Sequence, residues 1–244
     1  MRGASVDLEP PAAKPTPFYP WLRALSAFLH AGGTRGAEWR RLPEYAPPLI
    51  VVLCGCAYGA VMAGYHGFGG DRLQMVLYGA LKVPLLFLAT MVLAVPCFYV
   101  TNLLLGVGDD FEAVWRGLTD YQLLVALQLA ALAPVTVFVN LSNGDYRTAQ
   151  AWSALMFAVA AWNARRALRA CYRPLIARHP AHRLLSRVWF VLYAFVGIQM
   201  GWDLRPFVGH PTMPVQFLRD DIGNAYVETA HILRLYVEQL LSTL

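Results

Sequence analysis

His179 and His182, three positions apart, are the nearest thing in this 244-residue chain to a metal-binding pair. Imidazole nitrogens hold zinc when further cysteine, histidine or carboxylate donors complete a tetrahedron. Here Pro180 breaks helical spacing, no cysteine or carboxylate adjoins, and arginines flank both rings, so the pattern predicts a solvated loop. His66 and Asp71 bracket Gly67, Gly69 and Gly70. No strand precedes those glycines and no Lys-Ser/Thr follows, so they read as a turn between helices rather than a phosphate cradle. No HExxH or GxSxG occurs, and Cys54, Cys56, Cys97 and Cys171 contain no CxxC pair. Neither catalysis, nor a metal, nor a cofactor is expected.

Polar residues inside apolar runs are a second kind of candidate, because an unpaired polar group in lipid is costly. Lys82 lies near the end of such a run, where its long stem is expected to snorkel to the headgroups. Gln128, Asn140, Asn163 and Gln199 read as hydrogen-bond partners between helices. The alternative is a polar path near Lys82, Gln128 and Asn140. The densest local feature is Gln199-Met-Gly-Trp-Asp-Leu-Arg-Pro-Phe-Val-Gly209. Within it Trp202 has the character of an interface anchor, and Pro206 ends or bends a helix. Asp203 and Arg205 are suited to each other, to a helix end or to a lipid phosphate. Trp202, Asp203, Arg205, Pro206 and Phe207 are therefore the candidate partner or lipid contact.

These residues need elements to carry them, and composition names the kind. The chain is 57% apolar and 14% charged, against about 45–50% and about 25% in soluble domains. Its mean hydropathy is +0.44. Such an excess does not fit in one soluble core, and the expected class is an all-α integral membrane protein. A crossing helix needs about 20 apolar residues. Residues 49–65, 83–105, 121–141, 149–164 and 187–202 meet or approach that length, giving about five transmembrane helices. Amphipathic interfacial helices are expected at 18–30, 109–118 and 222–243. The segment 75–82 is expected to lie along the interface. No cleavable leader is expected, since residues 1–17 hold four prolines and no apolar stretch.

Three regions follow: 1–46, a Pro/Gly-rich cytoplasmic N-terminus with an interfacial helix; 47–205, the five-span domain; and 206–244, an amphipathic tail. Five crossings put fourteen of the twenty basic residues on one side, seven of them between Arg165 and Arg187. Positive charge marks the cytoplasmic side, so the N-terminus is expected inside a bacterial inner membrane and the C-terminus outside. The net charge of +5 follows the span ends rather than a polar face, which argues for anionic headgroups as partners and against nucleic acid. The acidic start of 109–120 is expected to dock against the 165–187 arginines.

The stretches Leu81-Lys-Val-Pro-Leu-Leu to Gly106 and Gly197-Ile-Gln-Met-Gly-Trp-Asp-Leu-Arg-Pro-Phe-Val-Gly209, with Gly223-Asn-Ala-Tyr-Val227, carry a resemblance. The chain resembles an uncharacterised bacterial family of multi-pass membrane proteins with a WxLRPFxG motif. It departs from that pattern at Asp203, where an uncharged residue is usual. Its layout is more weakly similar to Yip-type (Rab-interacting) membrane proteins. The resemblance spans roughly residues 45–240 and implies a multi-pass helical fold without known catalysis. The expected function is non-catalytic: to organise or support other membrane components, with a membrane protein or a second copy as partner. A transporter or channel subunit is the alternative.

Overall fold

A computed structural model describes residues 19–33, 35, 39, 42–66, 72–142, 146–205, 207, 208, 215–218 and 224–227. Among them are six α-helices of more than one turn and no strand: α1 (Tyr19–His30), α2 (Ala46–Ala63), α3 (Arg72–Leu104), α4 (Phe111–Ser142), α5 (Tyr146–Arg178) and α6 (His182–Asp203). Four of them, α2, α3, α4 and α6, are long and apolar enough to cross a membrane. The expected fourth span, 149–164, is helical but lies in α5, whose second half carries most of its arginines. Length and composition therefore single out four helices rather than five.

Local chemistry explains the boundaries. Pro47 and Pro48 sit in the first turn of α2, where a missing N–H leaves no bond unmade. Gly106 closes α3 at φ +69. Its N–H reaches Leu103 O at 3.0 Å and Val107 N–H reaches Asn102 O at 3.1 Å, which satisfies two orphan carbonyls. Three expected breaks are absent. The segment 109–118 is not a separate interfacial helix: after a short turn at Gly108–Asp110 its residues are the first turns of α4. Likewise 165–178 is not a loop, because alanine, leucine and arginine are strong helix formers. Nor does 75–82 form a helix of its own, since α3 runs unbroken past Pro84 and Pro96.

The helices α2 to α6 close into a ring in which α2 packs on α3 and α4, α5 on α4 and α6, and α6 on α3. At the α2–α3 contact Gly59 and Gly79 meet backbone to backbone, and Gly55 lies against Pro84. Aromatic groups fill the middle of the ring and join helices that are not ring neighbours. Phe157 on α5 meets Tyr58 on α2 and Phe87 on α3, with centroids 5.6 and 6.5 Å away. Tyr121 on α4 meets Trp189 and Tyr193 on α6 at 5.4 and 5.5 Å. Those two rings stack at 4.5 Å. Gln122 on α4 donates to Phe87 O at 2.7 Å and lies 3.2 Å from the Tyr193 hydroxyl, tying α3, α4 and α6 together.

Helices α4 and α5 have 32 and 33 residues. At ~1.5 Å per residue each is about 50 Å long, against roughly 30 Å of hydrocarbon. They run antiparallel as a hairpin, with Tyr121 Oη donating to Ala161 O and Trp152 Nε1 to Thr136 Oγ1. The end of the hairpin beyond Tyr121 and Ala161 is polar and rich in arginine. There α1 docks, burying Ala24 and Phe28 and leaving Leu22 and Leu29 53% exposed. The chain then turns at Gly33, φ +89, where a Cβ would lie 2.6 Å from Leu124 and 2.9 Å from Ala167. The chain after α1 is thus pinned at Gly33 and Arg35.

Candidate functional site

The charged end of the bundle brings together the starts of α4 and α6, the end of α5 and the connector after α1. Asp110, just ahead of α4, has Oδ2 at 2.9 Å from His182 Nε2 and Oδ1 at 3.5 Å from Arg178 Nη1. A carboxylate is favoured there by the unpaired N–H groups of the helix start. His182 is fully buried, contrary to the solvated loop expected of it, because the α5–α6 turn tucks the first residue of α6 against Tyr172, with ring centroids 6.0 Å apart. His179 is exposed, as expected. His182 Nδ1 and the Tyr172 hydroxyl find no hydrogen-bond partner among the described residues. Burial pushes the Tyr172 phenol well above its ordinary range.

Between two and three turns further along α4, the Arg35 guanidinium binds Asp120 through Nε and Thr119 Oγ1 through Nη2, the latter at 2.7 Å. This pair clamps the connector to α4. Beside it Cys171 on α5 donates to Ala113 O at 3.4 Å. Burial, with Asp120 adding, pushes that thiol up to about 11. At neutral pH Cys171 is therefore almost wholly a thiol and a poor nucleophile. Among the described residues no group of three or more histidine, cysteine, aspartate or glutamate side chains is placed to hold a metal ion.

The residues singled out from the sequence fall elsewhere. Lys82 does not snorkel: it is fully buried in α3, with Nζ 5.2 Å from the centroid of Phe217. A segment near the C-terminus lies back over this part of α3, where Phe217 also meets Tyr78 edge-on at 5.2 Å. Burial beneath that segment overrides the headgroup attraction. Gln128 is half-buried on α4. Asn140 reaches from α4 to Val61 O of α2 at 3.5 Å, and its Oδ1 is buried without a partner. Asn163 is exposed on α5. Lys82, Gln128 and Asn140 thus occupy separate contacts.

At the far end of α6, Gln199 donates to Asp203 Oδ1 at 3.0 Å and accepts from Ala225 N–H at 3.1 Å. The Arg205 guanidinium lies 3.6 Å over the Trp202 ring. Asp203 and Arg205 are therefore held by different neighbours rather than by each other. Phe207 packs against the core, and Pro206 lies outside the described residues. Tyr226 stacks on Phe195 at 4.4 Å and donates to Phe195 O at 2.6 Å. Of the expected 222–243 helix only 224–227 is described, so that expectation falls outside the described residues, as does the character of 1–17.

Sequence reasoning missed Arg35, Asp120, Gln122 and the buried state of His182. Asp120 alone carried a signal, as the last acid before the apolar run of 121–141. No protein-family model, curated protein or solved structure matches the chain.

Proposed function

We propose that this chain is a non-catalytic, five-crossing protein of a bacterial inner membrane that organises or supports other membrane components. In this reading α2 to α6 cross in turn. The first half of α5 passes beside the apolar part of α4, its small residues Ala149, Ser153, Ala160 and Ala164 buried against the bundle. Close packing, rather than hydropathy, holds that crossing. The arginine-rich end then faces the cytoplasm, with the N-terminus inside and the C-terminus outside. The partners are anionic headgroups and a second membrane protein or a second copy of the chain.

The filled ring carries the functional reading. A transport path runs between helices, but here Phe157, Tyr121, Gln122 and Tyr193 occupy the space between them. The alternative, a transporter or channel subunit, draws on Lys82, a cation buried within an apolar helix. Single cysteines at Gln122 and Gln128 in a chain otherwise free of cysteine separate the two. A water-soluble maleimide added from either side of native membranes should leave both thiols unlabelled. Labelling of both, from opposite sides, would replace the supporting role with transport.

A further inference from the structure

We infer that the cleft between α5 and α6 binds the phosphodiester headgroup of an anionic phospholipid, with Arg165 as its fixed cation. This deepens the proposed function and rests on its five-crossing placement. Arg165 is half-buried between two aromatic rings from different helices. Its guanidinium carbon lies 5.3 Å from the Trp162 centroid on α5 and 4.6 Å from the Phe190 centroid on α6. The two rings themselves meet edge-on, 6.5 Å apart, and cation–π attraction to both holds a flexible side chain in one place while leaving N–H groups on its far side free to donate. Among the described residues Arg165 has no carboxylate partner. Asp120, which is buried, and Asp110, which is half-buried, are engaged by Arg35 and by His182 with Arg178. The clamp is therefore built for an anion that the chain itself does not supply.

The depth of the clamp identifies that anion. Three helices change from polar to apolar at one level: α4 at Asp120 and Tyr121, α5 between Trp162 and Arg165, and α6 between Arg187 and Val188. The Tyr121–Ala161 hydrogen bond fixes the first two to the same height. Arg165 thus stands where lipid phosphates lie, with Trp162, 66% exposed, at the adjoining interface. Helical spacing places Arg169 on α5 and Arg187 on α6 about one turn further out on the cleft faces. Both are exposed. An acyl chain would follow exposed apolar residues of α6 such as Val191 and Phe195. Headgroup, ring and chain positions line up along one cleft.

The test uses the full-length protein reconstituted in vesicles of phosphatidylcholine with or without phosphatidylglycerol, and counts lipids retained on the purified protein by native mass spectrometry. Wild type should retain phosphatidylglycerol in preference. Arg165→Gln should lower that preference about five- to tenfold, the effect of removing roughly one headgroup-facing cation. Arg165→Lys keeps the charge without the planar stack and should also lose preference. Arg173→Gln removes an exposed charge about two turns beyond Arg165 and should change the preference less than about twofold, since an exposed charge that makes no close contact contributes little. Equal losses in the Arg165 and Arg173 variants would reduce the site to diffuse surface charge. Full retention by Arg165→Gln that still floats with vesicles would overturn the site alone. A wild-type chain that fails to float would overturn the membrane placement with it. Competition by inorganic phosphate that abolishes the preference would reassign the clamp to a free anion.

Discussion

Asp110 faces two side chains with one carboxylate, and the two differ in what they lose without it. Arg178 is exposed and returns to water at little cost. His182 has no exposed surface, and its Nδ1 has no partner among the described residues, so losing Asp110 strands the whole ring. Asp110→Ala should cost about 1–3 kcal/mol. Glu112→Ala, which breaks only the exposed contact to Arg116 at 3.5 Å, should cost close to nothing. Thermal unfolding in detergent compares them, and equal shifts would show that the buried imidazole depends on something else. The docking of the 109–120 acids against the arginine-rich segment therefore comes down to one residue of that stretch. The spacing of acids does not reveal which one, because burial of the partner, rather than the charge itself, makes the contact matter.

At the scale of elements, the α2–α3 crossing is the tightest joint. A Cβ on Gly79 would stand 2.7 Å from Gly59 O, and one on Gly59 would meet the Gly79 carbonyl in turn. Gly59→Val should destabilise the protein by about 1–3 kcal/mol through overpacking. Gly201→Val near the end of α6, where nothing lies within 4 Å of the added Cβ, should be nearly neutral in packing. Detergent melting curves that rank the two the other way would refute the crossing. Much of the element layout was readable beforehand, because spans are long apolar runs and membranes demand helices. The apolar cores of α2, α3, α4 and α6 were visible as such. What hydropathy did not reveal was continuity. The segments 109–118 and 165–178 have enough charge to look like pieces outside the bundle, yet they prolong α4 and α5 because each covers the other. The same holds for Lys82, whose burial under Phe217 depends on a contact between residues 135 positions apart.

For the whole molecule, the ring joins both polar ends by an odd number of passages if α5 crosses and an even number if it does not. Reporter fusions after residue 18 and after residue 205 decide this directly. Opposite sides for the two reporters are expected; the same side would leave four crossings and remove α5 from the hydrocarbon. The sides themselves follow the arginines, fourteen of the twenty basic residues lying with the charged end under five crossings. The α4–α5 hairpin has a further consequence, for biosynthesis. An emerging helix enters the bilayer by its own hydropathy, and α5 lacks enough to do so alone. Its small-residue face finds shelter only along α4, joined to it by residues 143–145. In the five-crossing topology, then, α5 is a passenger. It waits at the membrane until α4 is in place and enters as the second arm of a pair, making the order of translation part of how the bundle is assembled.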